Sequence, residues 1–138
     1  MEESRWVVTA AEIERKSGDY VCPLMRSFGA LGSNHEKSVD GLLAMLERFA
    51  DHGQKMLHDG ICHEIDEKNK IFEFIKGDLR LIWFYGDGSK IIICSHCFVK
   101  KGQKTPKSEK AEAISIKDSY WALRNKGISV PLHYEDEE

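Results

Sequence analysis

Leu79-Arg80-Leu81-Ile82-Trp83-Phe84-Tyr85 is the stretch on which the fold turns. Its seven residues read as a β-strand, with Leu79, Leu81, Trp83 and Tyr85 on one face and Arg80, Ile82 and Phe84 on the other. A strand apolar on both faces belongs in the middle of a sheet, covered by helices on at least one side. Arg80 is the odd member, projecting among apolar neighbours, and its charge needs an anion.

Turn residues bracket this strand: Gly77-Asp78 before it and Gly86-Asp87-Gly88-Ser89 after it. The runs beyond them, Ile71 to Ile75 and Ile91 to Val99, are rich in β-branched and aromatic residues. Short joins of this kind predict an antiparallel meander, and Ile61 to Ile65 supplies a further run. The expected class is α+β: a twisted antiparallel sheet of about four strands, meander-type, with N-terminal helices and a C-terminal helix packed on it.

The clearest helix lies upstream of the sheet. Val39, Leu42, Leu43, Leu46, Phe49 and Ala50 recur at helical spacing, Ser33 and Glu36 have capping-box spacing, and His52-Gly53 marks the end. Its other face, with Lys37, Asp40, Glu47, Arg48 and Asp51, is an ordinary solvated surface. A short helix is expected between Tyr20 and Leu31, and Thr9 with Glu12 suggests another near Ala10 to Lys16. After the sheet, Thr105-Pro106 starts a helix whose Ala113, Ile116, Tyr120 and Leu123 recur at spacings that place them on one face.

At 138 residues the chain fits a single domain, taken as residues 1–130, with 131–138 read as an acidic, disordered tail. Its composition, 41% apolar and 31% charged, is that of a globular protein, and no apolar run approaches the roughly 20 residues of a membrane span. Met1-Glu2-Glu3-Ser4-Arg5 is acidic where a secretory signal is basic, so a cytoplasmic location is expected, with Cys22, Cys62, Cys94 and Cys97 as thiols. The net charge of −3 hides a segregation: residues 68–126 hold thirteen Lys or Arg against six Asp or Glu, a surplus of seven that leaves −10 for the rest. The basic part can face phosphate.

Three features of that basic part bear on chemistry. Cys94-Ser95-His96-Cys97 has C-x-x-C spacing, but in a regular strand residues three apart point to opposite faces, so small core cysteines are expected there and no metal. From Phe98 to Lys107 the lysines at 100, 101, 104 and 107 crowd a strand exit beside Gly102, which suits backbone phosphate; Lys76 is a further RNA-binding candidate. Cutting RNA without a metal needs a base for the ribose 2′-hydroxyl, cations for the pentavalent phosphate and an acid for the leaving oxygen. Arg80, Lys100 and Lys101 are candidates for the cations. His96 is a candidate base or acid, and Glu73 either acts as base or holds Arg80 in place.

Phe72-Glu73-Phe74, Leu79 to Phe84, Ser95 to Lys101 and Gln103-Lys104-Thr105-Pro106 together resemble the phage-derived branch of the RelE/HigB toxin superfamily, over roughly residues 38–122. That branch carries a Glu on one strand, an Arg on the next and a Phe-x-Lys-Lys-x-x-x-x-Pro run leading into a C-terminal helix. The resemblance implies a RelE-like fold and the toxin of a type II toxin–antitoxin pair. Such a toxin is silenced by a helix-turn-helix antitoxin and cuts messenger RNA, usually on the ribosome, without a cofactor. By position, Arg80, Lys100 and Lys101 would contact phosphate or act in catalysis, with Glu73 in support. The family varies its acid and base, which leaves both His96 and Tyr134 open. Phe74, where many relatives have arginine, and Cys97, where glycine is usual, depart from the pattern. The alternatives are a ParE-like poison that binds DNA gyrase without cutting RNA, or a non-enzymatic phage or host regulatory protein.

Overall fold

The computed structural model describes residues 5–127 and 132–134, the last two of these as backbone only. A mixed sheet of six strands runs β4-β5-β6-β7-β1-β8, where β4 is Cys62–Asp66, β5 Ile71–Lys76, β6 Leu79–Tyr85, β7 Ile91–Val99, β1 Val7–Ala11 and β8 Leu132–Tyr134. Strands β4 to β7 form the expected antiparallel meander. Gly77 and Asp78 make a two-residue loop between Lys76 and Leu79, and the φ of +56° at Gly77 explains the glycine.

The sheet is larger than expected at one side. Val7 to Ala10 pair in parallel with Ile91 to Cys94, and β8 pairs antiparallel with β1. Two expectations are thereby corrected. The Thr9–Glu12 spacing does not start a helix, because the β-branched run Val7-Val8-Thr9 gains more from sheet pairing and is followed by a two-stranded ribbon of β2, Ile13–Glu14, and β3, Tyr20–Val21. Leu132–Tyr134 is a strand, not tail; residues 135–138 lie outside the described residues.

Helix α1, Pro23–Ala30, and α2, Glu36–His52, cover one face; α3, Lys107–Asn125, covers the other. On the first face Trp83, fully buried, stacks between Phe72 at 4.7 Å and Phe74 at 5.1 Å, and Phe49 of α2 packs on it. On the second, Ile82, Phe84 and Ile93 meet Ala113, Ile116 and Tyr120 of α3. The Ser33–Glu36 capping box does not form: Ser33–His35 is a 3-10 turn and His35 is the N-cap of α2, with no side-chain cap bond. Pro106 is the N-cap of α3 and not its first helical residue.

A bulge in β7 changes the faces on which Cys94 and Cys97 are expected. Ile82 pairs with His96 but Trp83 with Cys94, so Ser95 is an extra residue and the alternation resets. Both cysteines therefore lie on the α1/α2 face, in the same apolar core, and burial pushes the Cys97 thiol up to about 12. His96 is turned to the α3 face with Phe98.

Candidate functional site

On the α3 face the pairing register sets His63, Glu73, Ile82 and His96 in one cross-strand row and Ile75, Arg80 and Phe98 in the next. Glu73 is the centre of the first row. Its side chain is only 1% exposed, and its Oε2 lies 3.8 Å from both Arg80 Nε and His63 Nδ1. Its Oε1 accepts a hydrogen bond from Thr105 Oγ1 at 3.2 Å. A buried carboxylate is tolerated only where cations and donors surround it, and here they come from β4, β6 and the loop leading into α3.

Arg80 is positioned from below. Its Nη1 donates to the carbonyls of Gly77 at 2.8 Å and Leu79 at 2.9 Å, while its buried Nε has the Glu73 carboxylate nearby but no hydrogen bond. The side chain is 15% exposed, so the guanidinium is held at the edge of the core and not buried outright. Lys100 follows at the same end of the sheet: its backbone N–H donates to the Asp78 carbonyl at 2.8 Å, and Phe98, two residues before it, is the cross-strand partner of Arg80. Lys100 is half-buried; Lys101, Lys104 and Lys107 are exposed along the loop and the first residue of α3. Thr105 ties this basic loop to Glu73.

Two candidates lie elsewhere. The stem of Lys76 lies across Gly41 of α2, which puts it on the opposite face of the sheet from Arg80. His96 is buried under α3, 4% exposed, with Nδ1 2.8 Å from Ser95 Oγ and Nε2 2.9 Å from Glu109 Oε1. Glu112 Oε1 stands 3.7 Å from the same nitrogen, and these three side chains are the one cluster among the described residues with the spacing to hold a metal ion. As it stands, the His96–Glu109 bond docks α3 on β7. The side chain of Tyr134 lies outside the described residues.

His63 and Thr105 were not among the expected site residues. His63 sits on an edge strand beside several other polar residues, Glu64 and Asp66 among them, so nothing singles it out, and the register that puts it opposite Glu73 includes a bulge between Glu64 and Asp66. Thr105 carries the helix-start signal Thr-Pro, which conceals its second use as a donor to Glu73.

No curated protein matches the chain. Residues 29–118, from the end of α1 to well inside α3, match the family model described as phage-derived protein Gp49-like, and the matched span contains every residue of the Glu73, Arg80 and lysine-loop arrangement. The chain belongs to this Gp49-like family of phage-derived proteins, which is related to the RelE/HigB-type toxins.

Proposed function

We propose that this protein is the toxin of a type II toxin–antitoxin pair, of the HigB kind: an endoribonuclease that cuts messenger RNA on the ribosome and needs no metal. The observation that carries the reading is the end of the sheet where Arg80 stands against buried Glu73, beside a loop with Lys100, Lys101 and Lys104 and the α3 start at Lys107. Guanidinium and ammonium groups can neutralise a pentavalent phosphate directly, which is the charge stabilisation that a metal would otherwise supply. A phosphodiester laid along β7's exit would meet Lys100 and Lys101 first and the exposed edge of the Arg80 guanidinium behind them. The partner this reading requires is a small helix-turn-helix antitoxin that silences the enzyme.

Inducing the protein in a bacterial host and sequencing the ends of cellular RNA tests this. The expected result is growth arrest with new internal messenger ends, both lost on Arg80→Lys and on Lys100→Ala. A second reading, a binder that poisons gyrase or regulates a partner without cutting, is favoured by the bonds from Arg80 to the Gly77 and Leu79 carbonyls, which a purely structural arginine would also make. Intact messenger RNA with accumulating double-strand DNA breaks would select gyrase; intact RNA and DNA would select the regulator.

A further inference from the structure

Two histidines of the described chain lie against carboxylates, and they differ in what their rings can still do. Both nitrogens of His96 are engaged, by Ser95 and Glu109, and the ring is shut under α3. His63 is the reverse case. Its side chain is 49% exposed on the edge strand β4, with Nδ1 turned to Glu73 Oε2 at 3.8 Å. That separation is Coulombic contact, longer than a hydrogen bond. Glu73 is fixed by Thr105 and Arg80, so it can dictate the tautomer of His63: Nδ1 carries the proton toward the carboxylate and Nε2 presents its lone pair outward.

We infer that His63 is the general base of the site, held by Glu73, and that it draws the proton from the ribose 2′-hydroxyl of the bound RNA. The inference rests on the nuclease reading above and deepens it. In the step, Nε2 of His63 takes the 2′-hydroxyl proton and the 2′ oxygen forms a bond to phosphorus. The bond from phosphorus to the 5′ oxygen breaks, leaving a 2′,3′-cyclic phosphate. The departing 5′ oxygen takes a proton from water, and the imidazolium returns its own to the hydroxide so formed. Arg80 and the loop lysines hold the phosphate. Beside His63 stand the Glu73 carboxylate on β5 and, 3.8 Å from the same carboxylate oxygen, Arg80 Nε on β6, while Thr105 ties the lysine-bearing loop to Glu73. An imidazole suits this work because its class titrates near neutrality.

The test uses the purified full chain and a ribosome-programmed messenger RNA, with single-turnover cleavage followed from about pH 5.5 to about pH 8.5, the span over which imidazoles titrate. The wild type is expected to speed up through that span. His63→Asn should lower the rate by about 10²- to 10⁴-fold and flatten the profile, the usual loss for a general base. Glu73→Gln should shift the profile as a positioning change, and binding of a 2′-deoxy-substituted RNA should be unaltered in His63→Asn. A His63→Asn protein with the wild-type rate and profile, alongside an inactive Arg80→Lys, overturns the assignment of His63 and leaves the nuclease reading standing. A folded wild type that cuts nothing overturns both.

Discussion

Glu73 carries more of the site than any other side chain, because it is charged, 1% exposed and shared by three elements. Removing it leaves Arg80 at the edge of the core without a counter-ion and Thr105 without an acceptor. Glu73→Ala should therefore lower unfolding free energy by about 3–5 kcal/mol in urea, as for a broken buried pair. Glu73→Gln keeps an acceptor for Thr105 and should lose clearly less. Equal losses would mean that the charge of Glu73, which both variants remove, accounts for the whole effect and the Thr105 bond for none of it. Exposed Lys101 and half-buried Lys100 behave in the opposite way, since the bond that holds Lys100 at the strand exit is made by its backbone N–H to the Asp78 carbonyl. Alanine at either should leave the unfolding midpoint where it is, while RNA binding weakens and the salt slope falls by about 1 for each phosphate no longer neutralised.

At the scale of elements, the Ser95 bulge decides which faces β7 presents. Were the ladder regular, with Ser95 opposite Trp83, Cys94 would point at α3 and Ile93 at α2, exchanging the core sets on either side. Deleting Ser95 should leave Trp83 opposite Cys94 and both core sets in place, so the variant should still unfold cooperatively with dispersed amides in NMR spectra; a deletion variant that loses cooperative unfolding would mean that the fold needs the bulge itself. Nothing in Cys94-Ser95-His96-Cys97 marks the bulge, which is why the two cysteines are expected on opposite faces and found on one. Local signals, by contrast, carried the meander and its turns: Gly77-Asp78 and the alternation of Leu79 to Tyr85 need only neighbours in sequence. Strand β1 was illegible because its pairing with β7 is parallel and reaches some eighty residues along the chain, so no turn announces it. In the site, Glu73 and Arg80 were legible as charges among apolar residues and the lysines as a run at a strand exit. His63 and Thr105 join them only through register and loop path.

For the whole molecule, burial of thiols in the α1/α2 core ties stability to alkaline pH. Burial is the largest cause raising Cys22, Cys62 and Cys97 above the ordinary 9.0, with Cys62 and Cys97 each pushed up to about 12. The unfolded thiols ionise first, so the native state keeps more protons above pH 9. Stability is thus complete below pH 9 and declines toward pH 12, and the urea midpoint should drop between pH 8 and pH 10.5, less so in Cys62→Ala. A midpoint that holds steady would place these thiols in contact with water.

Of the thirteen cations in residues 68–126, Arg80, Lys100, Lys101, Lys104 and Lys107 belong to the Glu73 end of the sheet and the loop and helix start beside it. Titrating isotope-labelled protein with a non-cleavable 2′-deoxy-substituted RNA reads that claim directly by NMR. Shifts should gather at residues 63, 73, 78–80 and 98–107 and fade as salt is added. Shifts confined to the α2 face around Gly41 and Lys76, or none at low salt, would contradict the account.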